Sequence, residues 1–212
     1  MIQALAGGMF EEITYFYIDE TTKHGFIIDP GASAHHIADY VKSQGWTIEK
    51  ILLTHGHIDH VASTNEVKDL LGCEVIIHEE GKKYLENPAW NLSGVFGAPK
   101  QFSYDTLVKH DEVISLNANP NFSVQVIHVP GHTLDGVAYY SKAEGIAFVG
   151  DIIFAGSVGR SDFPGGSSVN LINGIRERIF TLPDETVLYP GHGPHTTVAY
   201  ERETNPAFHF YD

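Results

Sequence analysis

Four side chains of the metal-binding type lie close together in the sequence THGHIDH, which spans residues 54–60. They are His55, His57, Asp59 and His60. Imidazole and carboxylate groups are natural ligands of zinc and neighbouring divalent metals. In an extended segment, side chains two positions apart point the same way, so His55 and His57 can share one ion. Asp59 and His60 follow the turn into a helix and can reach a second ion. A polar loop with hydrogen-bonded histidines is the alternative, which this density of ligand-type residues disfavours.

Three further residues of the same type each follow a predicted strand. His132 lies in PGHT, Asp151 in VGD and His192 in PGHG. Residues just past the ends of strands gather on one rim of a sheet, where binding sites are commonly built. The seven residues together therefore predict a metal site that activates water for hydrolysis.

The elements that must position these residues alternate between short apolar runs and helical patterns. We predict strands at 9–18, 24–29, 48–54, 73–78, 123–129, 136–141, 145–149 and 186–189, and helices at 34–44, 61–71, 79–85, 169–181 and 197–203. Residues 87–106 are predicted to form a long loop. Two mixed sheets packed face to face, with helices outside, would account for this order.

Composition narrows the function class. Of the 212 residues, 42% are hydrophobic and 19% are charged, which is typical of a globular protein. The formal net charge of −14, without a cluster of Lys or Arg, argues against binding to nucleic acid. We find no membrane-spanning run, and we expect that a secretory leader is either absent or already removed from this sequence. Cys73 is the single cysteine, so no internal disulfide can form, and we expect a cytoplasmic protein.

The pattern HxHxDH, followed in order by His, Asp and His, resembles that of the metallo-β-lactamase superfamily. The resemblance covers essentially the whole chain and implies one domain, residues 1–212, with an αββα sandwich fold. It also implies two divalent ions, with zinc expected and iron or manganese compatible. Each ion takes three ligands, and Asp151 with a water or hydroxide lies between the ions, so that Asp59 and Asp151 belong to the catalytic centre. The implied ligands are His55, His57 and His132 for the first ion, and Asp59, His60 and His192 for the second.

Two segments, residues 156–166 and 190–206, resemble the glyoxalase II group (hydroxyacylglutathione hydrolases), and in particular its short bacterial members. The resemblance implies hydrolysis of a small-molecule thioester such as S-D-lactoylglutathione. Arg160 matches a basic position of the group and could bind a carboxylate of glutathione; a salt bridge to Asp162 is the alternative. Asp162 and Pro194 stand where the group has aromatic residues.

The sequence leaves two questions open: the role of Asp29 and the type of function. Asp29 either orients a metal-bound loop or caps a turn before Pro30. The chain also resembles persulfide dioxygenases, which would use one iron held by His55, His132 and Asp151. A module that binds metal only for stability is the third reading. The lack of cysteine among the candidate ligands disfavours it, because structural zinc sites are usually rich in cysteine.

Overall fold

A computed structural model describes residues 1–209 of the chain. The first sheet has six strands in the spatial order β1-β2-β3-β4-β5-β6. Strands β1 to β3 are antiparallel, whereas β3 to β6 run parallel. The bounds are β1 Ile2–Gly7, β2 Glu12–Ile18, β3 His24–Ile28, β4 Thr47–Leu52, β5 Glu74–His78 and β6 Thr106–Val108.

The second sheet also has six strands, in the order β14-β13-β10-β9-β8-β7. Its β10 and β13 pair in parallel and the other neighbours are antiparallel. A separate two-stranded ribbon is formed by β11 and β12. The bounds are β7 Val113–Ser115, β8 Ser123–His128, β9 Val137–Ser141, β10 Ile146–Gly150, β11 Ile153–Phe154, β12 Ser157–Val158, β13 Val187–Pro190 and β14 Thr196–Thr197.

Seven α-helices accompany the sheets within residues 1–209. They are α1 Ala34–Gln44, α2 Ile58–Val61, α3 Thr64–Leu71, α4 Gly81–Leu85, α5 Ser93–Phe96, α6 Ser168–Gly174 and α7 Val198–Thr204. A π-helical turn, Ile175–Ile179, continues α6. Helix α1 ends at Gly45, whose φ of 67° is a left-handed conformation that glycine adopts without steric cost. None of the helices in this described part is long and apolar enough to cross a membrane.

The alternating side chains of β2 show how the layers of the fold are arranged. Phe16 packs with residues of α1 and α3 in an outer core, whereas Tyr15 and Tyr17 pack with residues of the second sheet. Because successive side chains of a strand point to opposite faces, the first sheet has a helix layer on one face and the second sheet on the other. A third core lies between the second sheet and the π-extended α6, where Leu171 and Ile175 are buried. The fold is therefore the four-layer αββα sandwich expected from the sequence.

Some elements differ from the prediction. The helix predicted at 61–71 begins later, at Thr64, as α3, and a separate helix, α2, precedes it. The two are separate because Ser63 donates its backbone N–H to the carbonyl of Pro30 at 3.1 Å and does not continue α2. Six of the strands were not predicted from the sequence: β1, β6, β7, β11, β12 and β14. Residues 87–106 form an irregular segment as predicted, but it contains the short helix α5 and the start of β6.

Candidate metal centre

The strand ends bring the seven predicted ligands together. The segment 55–60 follows β4 and leads into α2, His132 follows β8, Asp151 follows β10 and His192 follows β13. Their potential ligand atoms fall into overlapping groups in which every atom lies within 4.8 Å of the others. These groups are His55–His57–His132, His55–His60–Asp151 and Asp59–His60–His192.

Asp151 lies between the groups. Its Oδ1 is 3.3 Å from Nε2 of His60 and 3.7 Å from Nε2 of His192, whereas its Oδ2 is 3.6 Å from Nε2 of His132. Asp59 lies on the side of His192, with Oδ2 3.3 Å from Nε2 of that ring. The two oxygens of Asp151 therefore face two different sets of histidines.

Two of the rings are oriented by backbone carbonyls. Nδ1 of His132 lies 2.6 Å from the carbonyl oxygen of Arg160, and Nδ1 of His192 lies 3.2 Å from the carbonyl oxygen of Phe10. A carbonyl can only accept, so each Nδ1 carries a proton. In the neutral form of each ring, Nε2 then has a lone pair directed into the cluster, as a metal ligand requires.

Asp29 orients the other face of the site from behind. Its Oδ1 accepts the backbone N–H of Thr54 at 2.7 Å, and its Oδ2 accepts the Thr54 hydroxyl at 2.5 Å. Oδ2 also lies 2.9 Å from Nδ1 of His60. Because the Thr54 hydroxyl donates to Asp29, its oxygen is free to accept from Nδ1 of His55, which is 3.2 Å away. Asp29 therefore contacts His60 directly and His55 through Thr54.

Burial and mutual repulsion keep part of this cluster neutral. Burial, followed by the neighbouring rings, holds the pKa of His55 well below its usual value. Burial likewise lowers the pKa of His57 to about 3. For Asp151, burial alone would raise the pKa, but the nearby His60 outweighs it and the pKa is lowered. Burial alone would lower the pKa of His60, but Asp151 and Asp59 outweigh it and the pKa is raised. The cluster thus combines anionic carboxylates with the neutral rings of His55 and His57, a donor set that divalent cations accept.

The buried atoms of the cluster fit metal ions. Nε2 of His55, Nε2 of His60 and Oδ1 of Asp151 are buried and have no hydrogen-bond partner in the described residues. Buried polar atoms in proteins are nearly always paired, because leaving one unpaired costs about 1–3 kcal/mol. A cation bound among these atoms would satisfy all three. The His/Asp clusters thus indicate a dinuclear metal site.

The structure explains why a glycine, Gly191, precedes the last histidine of the cluster. A Cβ at this position would lie 2.4 Å from Cε1 of His60 and 2.7 Å from Oδ1 of Asp151. Both distances are shorter than real Cβ contacts allow, so any side chain here would displace the cluster. The backbone before His192 therefore passes so close to the cluster that position 191 requires a glycine.

Sequence reasoning missed two residues beside the cluster. Glu12 is fully buried, and its carboxylate lies within 4.8 Å of ligand-type atoms of Asp29 and His60. Burial raises its pKa well above the usual value. Tyr84 is also fully buried, and its ring centroid lies 6.0 Å from that of His57. Neither residue lies in a recognisable motif, and only their tertiary positions reveal them.

An open pocket of about 440 Å³ leads to the cluster. Arg160, the predicted substrate contact, lines this pocket. Its Nε and Nη2 each donate to Asp162 at 2.7 Å, so the salt bridge considered from the sequence is present. The Arg160 guanidinium lowers the pKa of Asp162 to about 2.

Comparison with known proteins identifies the family. A model of the metallo-beta-lactamase superfamily matches residues 10–192. The probable metallo-hydrolase YqgX of Bacillus subtilis is 35% identical over 201 residues, which cover 94% of this chain and 93% of the relative. The chain therefore belongs to the metallo-beta-lactamase superfamily. It is a metallo-hydrolase of that superfamily.

Other similar proteins differ in their described activities. The hydroxyacylglutathione hydrolase GloC of Haemophilus influenzae is 33% identical over 187 residues, which are 87% of each chain. Among solved structures, the BLEG-1 B3 metallo-beta-lactamase superposes with a TM-score of 0.92 at 32% identity, covering 99% of this chain and 100% of that one. TTHA1623 in a di-iron-bound form gives 0.84 at 31%, with coverage of 96% and 98%. ETHE1 from Myxococcus xanthus gives 0.80 at 25%, with coverage of 97% and 83%.

Proposed function

We propose that the protein is a glyoxalase II-type thioesterase that hydrolyses S-D-lactoylglutathione or a related thioester at a two-metal centre. The placement of Asp151 carries the proposal, because its two carboxylate oxygens face different groups of histidines. The similarity to the hydroxyacylglutathione hydrolase GloC supports the reaction class.

The proposed ligands divide between the two sides of Asp151. The first ion is held by His55, His57 and His132, and the second by Asp59, His60 and His192. Bound divalent cations, for which we propose zinc, supply Lewis acidity that lowers the pKa of water to near ~7 and polarises a carbonyl oxygen. The chain's own contribution is orientation, because Nδ1 contacts on four of the rings fix the direction of each Nε2.

A thioester suits this pocket better than an amide. The titratable residues that line the pocket are six: His57, Asp59, His132, Asp151, Arg160 and His192. Five of these are proposed ligands and the sixth is paired with Asp162, so no lining side chain in residues 1–209 is left to act as a general acid. A thiol with a pKa near ~8.5 leaves as a thiolate, whereas an amine must be protonated.

A mononuclear-iron persulfide dioxygenase is the second candidate. The similarity to ETHE1 favours it, as does the contact between Asp151 and His132, which with His55 would form a set of two histidines and one carboxylate. In that case the second group of ligands would take no part in the reaction. The number of metal ions per chain therefore separates the two candidates.

The test is hydrolysis of S-D-lactoylglutathione by the purified protein, with metals counted in the same sample. Turnover with about two ions per chain, lost on chelation and restored by one of zinc, iron or manganese, would support the thioesterase. A cephalosporin in the same panel tests β-lactam hydrolysis, the activity for which BLEG-1 is named. Oxygen consumption with glutathione persulfide and one iron would establish the dioxygenase instead. Inactivity on every substrate, at full metal content, would leave a module that binds metal without catalysis.

A further inference from the structure

The pocket beside the metal centre has an apolar wall. Six of its lining side chains are apolar, four of them aromatic: Phe10, Ile58, Leu92, Phe96, Phe154 and Phe163. Phe10 is 58% exposed and Phe96 is 42% exposed, so neither is needed to fill the core. Exposed aromatic groups collected at a pocket beside catalytic groups are typical of a surface that binds an apolar ligand.

These aromatic rings form a continuous path from the rim to the ligands. Phe10 contacts Phe96 edge to face, with ring centroids 5.3 Å apart, and Phe96 lies 6.5 Å from Phe163. Phe163 in turn lies 5.7 Å from the ring of His57. An apolar group attached to a reacting carbonyl or sulfur near the cluster could therefore pack against these rings.

The turn that carries Phe10 is held in an uncommon backbone conformation. Phe10 and Glu11 have φ values of 59° and 57°, in the left-handed region that residues other than glycine seldom adopt. The carbonyl of Phe10 also accepts from His192. The aromatic rim is thus fixed to the metal cluster, as expected of a binding surface rather than a free loop.

The charge of the pocket does not match glutathione. Within residues 1–209, Arg160 is the only Lys or Arg that lines the pocket. One of the two edges of its guanidinium that can bind a carboxylate in a bidentate manner, Nε with Nη2, is occupied by Asp162, and its face lies 4.2 Å from the Phe163 centroid. A glutathione thioester carries two carboxylates, and one of them could bind Arg160 only by displacing Asp162 or by taking the other edge, beside the Asp162 carboxylate.

We propose that the site prefers thioesters whose thiol half is uncharged and apolar, an alkyl or aryl group, and that Asp162 is the residue that disfavours glutathione by occupying Arg160. This inference rests on the proposed thioesterase function. It assigns the aromatic wall to the substrate's apolar half and makes Arg160 with Asp162 the determinant of specificity.

The first test compares two thioesters of the same D-lactoyl group, one with glutathione and one with benzyl mercaptan. The kcat/KM of each is divided by its uncatalysed rate with hydroxide, which corrects for the two leaving groups. We expect the ratio of benzyl to glutathione to exceed about tenfold, which is about 1.4 kcal/mol of selective binding. Hydrolysis of neither thioester by protein with two metals would overturn the proposed function and this inference with it. Equal or faster hydrolysis of the glutathione thioester would overturn this inference alone.

Two variants of the apolar wall locate the preference. Phe96→Ala and Phe163→Ala should each lower kcat/KM for the benzyl thioester by about tenfold relative to the glutathione thioester, because each removes apolar contact with the ring. Val113→Ala is the matched control, since Val113 is 63% exposed on β7 and does not line the pocket. An unchanged ratio in both phenylalanine variants would remove the wall from the substrate site.

Asp162→Asn tests the charge. It should free Arg160 and raise the glutathione-to-benzyl ratio of kcat/KM about tenfold, chiefly through a lower KM for glutathione. Adding Arg160→Ala to Asp162→Asn should abolish the gain. Arg160→Ala alone should leave the KM for the glutathione thioester nearly unchanged. A large rise of that KM in the single Arg160 variant would mean that Arg160 already binds glutathione, and would overturn the role given to Asp162.

Discussion

Asp29 contacts the ring of His60 from the side opposite the metal cluster, with 2.9 Å between Oδ2 and Nδ1. Both side chains are buried, and Asp29 adopts a left-handed φ of 51°. An acceptor behind a histidine ring fixes its orientation and raises the basicity of the nitrogen that faces the metal. The contact thus links the loop after β3 to the orientation of His60, a proposed ligand of the second ion.

Asp29→Asn should weaken metal binding by about 10–100-fold, the usual effect of losing a partner behind a ligand. The substitution keeps the shape of the side chain and removes its charge. Competition with a chromophoric chelator measures the affinity. Asp39→Asn, an exposed position on α1, is the control. Equal metal affinity in the two variants would show that Asp29 holds the backbone of Thr54 in place but does not affect metal binding.

Asp151→Ala should abolish thioester hydrolysis while the fold persists. The loss in kcat/KM should exceed the ~10–100-fold expected for a partner behind a ligand, because Asp151 faces both groups of histidines. Metal content should also fall. Activity, bound metal and far-UV circular dichroism are measured on the same preparation, with exposed Asp69→Ala as the control. Near-normal activity with full metal content would contradict the two-metal scheme.

Removal of metal should lower the melting temperature. A ligand at ~100 times its dissociation constant adds about 2.7 kcal/mol to the free energy of unfolding. For a domain of this size, that corresponds to about 5–10 °C. Thermal unfolding of the metal-free protein in a zinc titration gives the shift. A melting temperature that does not respond to zinc, iron or manganese would mean that the clustered ligands bind none of them in the folded state.

Tyr84→Phe should impair both stability and turnover. The Tyr84 hydroxyl accepts the backbone N–H of Leu134 and donates to the carbonyl of Pro164, each at 2.9 Å. It thus joins the loop that carries His132 to the loop that carries Phe163. Loss of the hydroxyl leaves both backbone groups without this partner, which costs about 1–3 kcal/mol. We expect a lower free energy of unfolding in urea and a lower kcat/KM.

Tyr104→Phe is the matched control for Tyr84, because its hydroxyl donates to Glu86 at the surface. The free energy of unfolding of this control should change by less than about 0.5 kcal/mol. Similar losses in the two variants would indicate a general effect of removing a hydroxyl.

His78 should make the protein less stable in mild acid. Its ring stacks on His128 with centroids 3.9 Å apart, and burial together with that neighbour lowers the pKa of His78 to about 4. The pKa in the unfolded chain is near 6.5. As the pH falls, the unfolded chain therefore binds the proton first. The stabilisation is complete above about pH 6.5 and is lost between about pH 6.5 and 4.

Urea unfolding at pH 7 and pH 5 measures this effect. The free energy of unfolding of the wild type should fall by about 1–3 kcal/mol more than that of His78→Gln, which cannot take up the proton. His36→Gln, at an exposed position of α1, should behave like the wild type. An equal pH dependence in the wild type and His78→Gln would assign the acid sensitivity to other groups.

The candidate ligands could be predicted because each is a metal-binding type of residue at the end of a strand, and strand patterns are visible in a sequence. The role of Asp29 stayed open between two readings, since nothing local distinguishes a turn residue from one that contacts His60, 31 positions away. Glu12 and Tyr84 could not be found at all. Their importance depends on burial beside the cluster, which is a property of packing alone.

An element of the fold could be predicted where its hydrophobic periodicity and the residues that mark its end indicate the same bounds. The bounds of α1 match the prediction, because an apolar stripe is followed by Gly45. Strands β1 and β7 were missed because they lie at the sheet edges and expose much of their surface, so that alternation is weak. The split between α2 and α3 depends on the carbonyl of Pro30, which lies far away in the sequence and close in space.

The ligands of this site come from both halves of the chain, and the last of them, His192, follows β13. During synthesis on the ribosome, the segment 55–60 emerges long before β13 has been made. A metal-binding centre with all seven side chains cannot form until His192 has emerged and the second sheet has closed on the first. Completion of the metal centre therefore requires that both sheets have been synthesised.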